Sequence, residues 1–285
     1  MSWMDQIYKR VPAAVQNSLI SGYGIYWKWL RFGGAYPAYV QAYQARDPFS
    51  REQWQQYQRG RLAQLLALAG EHVPYYRSAW TDDQKKSARA GELADLPLLE
   101  KEELRRNPHQ FAREDVHPLH IKHFLTSGST GTPIDTLWTI SEVRESLAVR
   151  EVRSANWAGV SFRQPRATFS GRMVEPEPDS KGPYYRFNAA ENQVYFSAFH
   201  LRPDTAKFYV EALRKHRIQW MTGYAVSYFL LARFILEQGI SVPPLKAIIT
   251  TSEKLTAPTA RATPSSTPRI LAVSTMASTL IAGPE

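Results

Sequence analysis

Cysteine is absent from the 285-residue sequence. Its absence excludes disulfides, thiolate metal sites and cysteine nucleophiles, and it agrees with a reducing compartment. A secretory signal is also missing from the pattern, because the polar residues 1–10 are not followed by an adequate apolar run. We therefore expect a cytoplasmic protein.

The sequence lacks any block of basic residues, although it is basic as a whole. Lys and Arg number 35 against 26 Asp and Glu, which gives a formal net charge of +9. This balance favours anionic partners. Because no run of five or six basic residues concentrates the charge, we do not expect nucleic-acid binding.

Long apolar runs are missing too, and a membrane-spanning helix needs about 20 apolar residues. The best candidate, the segment from Leu19 to Leu30, is short and interrupted by polar residues. Lys28 and Arg31 beside tryptophans leave contact with a membrane interface as a weaker alternative. We favour a helix that packs its aromatic residues into the core. These residues are Tyr23, Tyr26, Trp27 and Trp29.

Three regions differ in composition and periodicity. Residues 1–115 are predicted to be mostly helical, with Ser50 as the N-cap of an amphipathic helix over residues 51–69. Residues 116–255 alternate predicted strands with helices, which indicates an α/β fold with a largely parallel sheet. Residues 256–285 are dominated by Ala, Thr, Ser and Pro and lack aromatics, so we expect this tail to be disordered or translated out of frame.

The most informative segment is Thr-Ser-Gly-Ser-Thr-Gly-Thr-Pro at residues 126–133, which follows a predicted strand at residues 121–125. Glycines and small hydroxylated residues let backbone N–H groups and hydroxyls surround phosphate oxygens. The segment is not a Walker A loop, which requires Gly-Lys-Ser/Thr. By composition alone, a linker or turn is as common as a phosphate loop.

The order of these residues closely resembles the phosphate loop of the AMP-forming adenylating enzymes. Residues 73–77, 96–101 and 223–227 resemble the phenylacetate–CoA ligase and CapK branch of that superfamily, which includes coenzyme F390 synthetase. Residues 250–255, Thr-Thr-Ser-Glu-Lys-Leu, resemble the segment that contacts adenine in these enzymes. The resemblance extends from about Val73 to Leu255.

The resemblance implies an ATP-dependent carboxylate ligase. The carboxylate attacks the α-phosphate of ATP to form acyl-AMP and pyrophosphate, and a thiol, commonly that of CoA, then displaces AMP. The protein holds the reactants in line and stabilises developing charge. Mg²⁺ accompanies the triphosphate with few protein ligands. The branch also suggests a role in capsular or surface polysaccharide biosynthesis.

Site residues are assigned through the same resemblance. Glu253 and Ser252 are expected beside the adenine, and Gly223 and Tyr224 beside the acyl group. His200 joins the acyl pocket as a candidate because it follows a predicted strand, where parallel sheets bind ligands. Phosphate binding is assigned to Thr126, Ser127, Gly128, Ser129, Thr130 and Gly131.

The chain departs from the family pattern after Leu255. The family continues with a Tyr-Gly-x-x-Glu motif, a ribose-binding aspartate and a small C-terminal domain that carries the catalytic lysine. Here no tyrosine follows Tyr228, and Glu285 is the one acid after Glu253. We expect an incomplete large N-terminal domain with weak or no activity. A frameshift and natural shortening both remain open, as does a non-catalytic nucleotide-binding or scaffold protein in polysaccharide assembly.

Histidines recur every third residue at His117, His120 and His123. Zinc requires a converging set of ligands, whereas a strand would place the last two on opposite faces. No metal site is therefore expected from these residues.

Overall fold

The computed structural model describes residues 11–126, 133–171, 174–175, 177–251, 253 and 270–272. Contacts divide the described residues into two compact units. One unit comprises those up to Val40 and from Arg144 onward, and the other comprises Gln41–Val143. The sequence-based division into 1–115, 116–255 and 256–285 stays a prediction.

The described helices and strands are numbered in chain order. The helices are α1 (Ala13–Phe32), α2 (Tyr36–Gln44), α3 (Arg51–His72), α4 (Pro74–Ala79), α5 (Asp82–Ala90), α6 (Lys101–Arg106), α7 (Ile140–Arg150), α8 (Ala206–Lys215) and α9 (Ala225–Glu237). The strands are β1 (Ile121–Leu125), β2 (Asp135–Thr139), β3 (Arg166–Ser170), β4 (Tyr185–Asn188), β5 (Gln193–Ser197), β6 (Trp220–Tyr224), β7 (Ala247–Thr251) and β8 (Ile270–Ala272).

The unit of residues 41–143 is mainly helical. Ser50 begins α3 with a capping box, in which its hydroxyl accepts from the Gln53 N–H and the Gln53 side chain accepts from the Ser50 N–H. The predicted N-cap is thus confirmed. The helix continues past the predicted end at residue 69. The buried residues Leu66, Trp80 and Ala88 form the core of this unit.

A two-stranded antiparallel hairpin, β1–β2, belongs to the same unit. Its register pairs Ile121 with Thr139 and Leu125 with Asp135. The strand predicted at residues 121–125 is confirmed. The predicted phosphate loop falls between these two strands in the sequence.

The other unit contains a six-stranded sheet in the order β4-β5-β3-β6-β7-β8. Strands β5, β3, β6, β7 and β8 are parallel, and β4 pairs with β5 in the antiparallel sense. The α/β fold class predicted from the sequence is confirmed. Within the tail region, Ile270–Ala272 extend the sheet beside β7.

Helices cover both faces of this sheet. On one face, Phe169, Phe196 and Ile248 pack with Tyr209 of α8 and Leu231 of α9. On the opposite face, a second cluster contains Ala155, Val160, Phe162, Trp220 and Ile249. Neighbouring residues such as Trp220 and Met221 alternate between the two clusters, as the two-residue period of a strand requires.

Helix α1 covers the exposed edge of strand β4. The Phe187 N–H donates to the Asn17 side chain (3.0 Å), and the Ala189 N–H donates to the Ser21 hydroxyl (3.0 Å). At Gly24 a Cβ atom would lie 2.2 Å from the Asn188 side chain, so the helix approaches the strand closely there. Polar groups of α1 therefore satisfy backbone groups that an edge strand leaves unpaired.

The expectation that the aromatic residues of α1 pack into the core is wrong for most of them. Trp27 is buried, but Tyr23, Tyr26 and Trp29 are 40–59% exposed. The physical reason lies in β4, whose edge needs hydrogen-bonding partners and a close approach. Asn17, Ser21 and Gly24 therefore occupy the inner face, and the large side chains turn outward.

A buried ion cluster lies at the amino ends of β3 and β5. Glu191 pairs with Arg31 (3.0 Å) and with Arg166, and all three side chains are almost fully buried. Arg166 also donates to Gln193 (2.7 Å). Burial, with Arg31 and Arg166 nearby, lowers the pKa of Arg150 to about 10. At the same end, the buried Glu151 accepts a hydrogen bond from the Phe162 N–H (2.9 Å).

Candidate functional site

The carboxyl ends of the parallel strands form the candidate site. Strands β3, β5, β6 and β7 end at Ser170, Ser197, Tyr224 and Thr251. Because these strands run in the same direction, their carboxyl ends lie along a single edge of the sheet. Open α/β sheets bind their ligands at this edge.

Gly223 lets strands β3 and β6 come together at this edge. Its φ is +142°, and a Cβ atom added there would lie 2.0 Å from the Phe169 carbonyl oxygen. Both observations exclude a side chain. The glycine predicted beside the acyl group is therefore required by the backbone, whatever its contact with a ligand.

Tyr224 ends strand β6 and directs its hydroxyl towards β3. A Cβ atom at Gly171, the residue directly after β3, would lie 3.1 Å from the Tyr224 hydroxyl oxygen. Gly171 is not among the site residues that the sequence predicts. The signal that could have found it is a glycine directly after the run Ala167–Ser170, at the position where a bulky side chain would displace the phenol.

Glu253 connects the segment after β7 to the start of α9. Its carboxylate accepts a hydrogen bond from the Val226 N–H (2.8 Å). Val226 lies in the first turn of the helix, where N–H groups lack intrahelical partners and negative charge is favourable. The side chain predicted near the adenine therefore holds the two segments together. Ser252 lies outside the described residues.

His200 is buried, and both of its ring nitrogens are engaged. Nδ1 lies 2.8 Å from the Ser197 hydroxyl, and Nε2 lies 2.8 Å from the Glu177 carbonyl oxygen. The carbonyl can only accept, so Nε2 donates to it, and in the neutral tautomer Nδ1 accepts from the Ser197 hydroxyl. The ring also stacks on Tyr184. In this arrangement the imidazole joins the end of β5 to the segment around Glu177.

Two buried tyrosines lie beneath the same edge. The Tyr209 hydroxyl donates to the Ser197 carbonyl (2.7 Å), and the Tyr228 ring packs edge-on against Phe169. Burial raises the pKa of both phenols well above the usual range. They are consequently neutral at physiological pH and act as packing and hydrogen-bonding groups.

The predicted phosphate loop is fastened where it leaves and rejoins the hairpin. The Thr126 N–H donates to the Ile134 carbonyl, and the Ile134 N–H donates to the Thr126 hydroxyl, both at 2.9 Å. Thr126 is thus a structural clasp at the base of the loop. The remaining predicted phosphate ligands, Ser127, Gly128, Ser129, Thr130 and Gly131, lie outside the described residues.

No group of three or more His, Asp and Glu side chains gathers as metal ligands within the part of the chain that the structure describes. Of the three spaced histidines, His123 pairs with Asp135 (2.7 Å), and His117 accepts from the Leu119 N–H. The rings of His117 and His120 are 5.9 Å apart.

The chain has detectable similarity to known proteins in sequence and in structure. No family model matches the chain. In sequence it is similar to the protein CapK of Staphylococcus aureus, with 27% identity over 173 residues, which are 60% of this chain and 38% of CapK. This similarity confirms the resemblance to the CapK branch that the motifs indicated.

Two solved structures are similar to parts of the chain. One is an open conformation of 2-hydroxyisobutyryl-CoA ligase in complex with 2-HIB-AMP and CoA. The sequences are 18% identical, the match covers 73% of this chain and 50% of that chain, and the TM-score is 0.48. The other is VinN. The sequences are 14% identical, the match covers 59% of this chain and 39% of that chain, and the TM-score is 0.36. The chain thus spans half or less of the length of these proteins.

Proposed function

We propose that this chain derives from an ATP-dependent, AMP-forming carboxylate ligase and binds ATP. The observation that carries the proposal is the position of Gly223, Tyr224 and Glu253. The sequence predicts each of them as a site residue, and each lies at or just beyond the carboxyl ends of the neighbouring strands β6 and β7. The similarity to CapK supports the same class.

The proposed reaction has two steps. In the first, a carboxylate oxygen of the substrate attacks the α-phosphorus of ATP, and the bond to the bridging oxygen breaks to release pyrophosphate. In the second, an acceptor thiol, for which CoA is our candidate, attacks the acyl carbon. The bond to the phosphate oxygen then breaks, AMP leaves, and the thiol proton passes to solvent.

The residues of this chain would mainly bind and orient the reactants. We assign the small residues after the Thr126 clasp to the ATP phosphates, because their N–H groups and hydroxyls suit phosphate oxygens. We assign the Glu253 segment to the adenine. Tyr224 and Gly223 would border the acyl group. His200 would shape this border by packing, since its nitrogens are held by Ser197 and Glu177.

Mg²⁺ would neutralise charge on the triphosphate. Within the described ranges, no three His, Asp or Glu side chains gather into a ligand set for it. A role in capsular or surface polysaccharide biosynthesis rests on the similarity to CapK alone and is part of the proposal. So is a cytoplasmic location.

We further propose that the 285-residue chain binds ATP but turns over weakly. After Lys254 it contains no lysine, and after Tyr228 no tyrosine. Contacts to phosphate and adenine that are equally strong in the ground state and the transition state tighten ATP binding, but they do not accelerate the chemical step.

Pyrophosphate exchange tests this proposal. The chain is incubated with ATP, labelled pyrophosphate and a panel of aliphatic and aromatic carboxylates, while ATP affinity is measured by titration. We expect ATP binding with exchange far below the rates typical of enzymes. Rapid carboxylate-dependent exchange would show that the chain is a competent ligase and that the low-turnover part is wrong. Absence of ATP binding would contradict the whole proposal.

The second candidate is a non-catalytic nucleotide-binding protein that serves as a scaffold in polysaccharide assembly. The engaged nitrogens of His200 favour it, because they leave this buried base no open position for chemistry. ATP binding with no detectable exchange for any carboxylate, from a folded and monodisperse chain, would select this candidate.

A further inference from the structure

Helix α1 has an inverted distribution of polarity. The face against strand β4 carries Gln16, Asn17 and Ser21, which hydrogen-bond or lie close to the sheet edge. The outer face carries large apolar and aromatic side chains that are 40–66% exposed. These are Val15, Leu19, Tyr23, Ile25, Tyr26 and Trp29.

The outer residues form a contiguous surface along the helix. Val15, Leu19, Tyr26 and Trp29 recur at intervals that return to the same side every three or four residues. Tyr23 stacks on Tyr26, with ring centroids 6.1 Å apart. A monomeric protein seldom leaves such a continuous apolar patch in water without a use for it.

Positive charge surrounds the C-terminal end of this surface. Residues 11–46 contain no Asp or Glu. Lys28 is exposed beside Trp29, and the Arg144 guanidinium lies 5.4 Å from the centre of the Trp29 ring. Arg163 is exposed nearby and, with Lys28, lines one cleft. The acid in this cleft, Glu191, is neutralised by Arg31 and Arg166.

The cleft itself has a volume of about 390 Å³ and lies at the amino ends of the strands, opposite the candidate nucleotide site. Its walls include the apolar rings of Trp29, Phe32 and Phe162, and its basic groups are Lys28 and Arg163. Aromatic walls beside two cations suit a group that is apolar at one end and anionic at the other. Trp29 belongs both to this cleft and to the apolar surface of α1.

We propose that the outer face of α1 lies in the headgroup region of an anionic lipid membrane, with a lipid phosphate at the cleft between Lys28 and Arg163. Trp and Tyr side chains favour the membrane–water boundary, and basic residues add attraction to anionic lipids. Among the described helices, none is long and apolar enough to cross a bilayer. The helix would therefore lie parallel to the surface.

Vesicle co-sedimentation tests this inference with the full 285-residue chain. The chain is mixed with phosphatidylcholine vesicles that contain or lack 30% phosphatidylglycerol. We expect sedimentation with the anionic vesicles, which 0.5 M NaCl strongly reduces because salt screens the charge. Failure to sediment with anionic vesicles, or equal sedimentation with both compositions, would overturn the proposal.

Matched variants distinguish vesicle binding through the α1 surface from nonspecific adsorption of the protein to vesicles. Leu19→Ser removes apolar area and should lower the partition coefficient about tenfold. Lys28→Gln should lower it about fivefold. Leu119→Ser and Lys215→Gln alter equally simple exposed side chains elsewhere and should leave partition unchanged. Equal effects of the α1 and control variants would contradict the proposal.

Gel filtration and competition by inorganic phosphate test two other occupants: a second copy of the chain on the α1 surface and a soluble anion in the cleft. A dimer that Leu19→Ser converts to a monomer, without vesicle binding by either form, would show that the face joins two copies of the chain and would overturn the lipid proposal. Competition by millimolar free phosphate in the absence of any apolar dependence would assign the cleft to a soluble anion, with the same consequence. A far-UV circular dichroism spectrum that matches the wild-type spectrum shows that each variant is folded.

Discussion

The carboxylate of Glu253 accepts a hydrogen bond from the backbone N–H of Val226 at 2.8 Å. This bond joins the segment after β7 to the first turn of α9, where a negative charge interacts favourably with the helix dipole. Glu253→Gln keeps the shape of the side chain and removes its charge. We expect the free energy of unfolding to fall by about 0.5–1 kcal/mol, as measured by urea denaturation.

Glu237→Gln is the control for that variant, because Glu237 lies at the other end of α9 in an exposed pair with Arg233. Its effect should stay below about 0.5 kcal/mol. If the two variants proved equally stable, the Glu253–Val226 bond would have no special role in holding the edge of the sheet.

Gly223 should not tolerate alanine. The new Cβ atom would lie 2.0 Å from the Phe169 carbonyl oxygen, so strands β3 and β6 would have to move apart. We expect a loss of more than about 3 kcal/mol in unfolding free energy, from backbone strain together with the overlap. This loss is measured by thermal unfolding, monitored by circular dichroism.

Gly239→Ala provides the comparison, because Gly239 also has a positive φ (+62°) but open space around the site of a Cβ atom. Its cost should be about 1–2 kcal/mol, from backbone conformation alone. Equal losses at the two glycines would show that the close approach of β3 and β6 is not what requires Gly223.

Removing the charge of Glu191 should strongly destabilise the protein. Glu191→Gln leaves Arg31 and Arg166 buried without their counter-charge, beside Arg150, whose pKa is already lowered to about 10. We expect a loss of about 3–5 kcal/mol. Guanidinium chloride denaturation at pH 7 gives the value.

The exposed Arg77–Glu114 pair is the matched control for that loss. Glu114→Gln should cost less than about 1 kcal/mol, because water screens and solvates the remaining charge. A similarly small cost for Glu191→Gln would mean that the cluster is open to water.

His216 should make stability fall on acidification. Burial, assisted by Lys215, lowers the pKa of its imidazole, whose ring stacks on Phe187 at 4.0 Å. Below the ordinary histidine pKa of about 6.5, the unfolded chain binds a proton that the folded chain takes up only at lower pH. Folding stability therefore decreases as pH falls through that window.

The His216→Phe variant should lack this part of the pH dependence. Unfolding free energies at pH 7.5 and 5.5 would decrease less in the variant than in the wild type. His109→Gln, at an exposed position, should retain the wild-type difference. An unchanged pH dependence in His216→Phe would show that His216 does not contribute it.

The sequence predicted the parallel strands well because their apolar runs are bounded by turn residues and alternate with helices. The runs Ala167–Ser170 and Val194–Ser197, rich in apolar and β-branched residues, lie within β3 and β5, and Ser50 caps α3 as expected. The antiparallel edge strand β4 was not predicted. Its four residues contain a buried arginine and a buried asparagine, so they lack the apolar pattern of a core strand.

The outward-facing aromatics of α1 could not be read from periodicity either. The number of aromatic residues favoured a core helix, but the partner of α1 is a strand edge that needs polar side chains and a glycine. Likewise, the position of His200 after a strand was predictable. Its bonds to Ser197 and Glu177 depend on how residues distant in sequence meet in the fold.

Equilibrium titration of the purified chain with ATP tests the central claim most directly. The account predicts one ATP bound per chain, little affinity for inorganic phosphate alone, and at least tenfold weaker binding, about 1.4 kcal/mol, when Gly128 and Gly131 are both replaced by valine. If the folded chain bound no ATP, or if the double variant bound it equally well, the assignment to the adenylate-forming ligases would be contradicted for this chain.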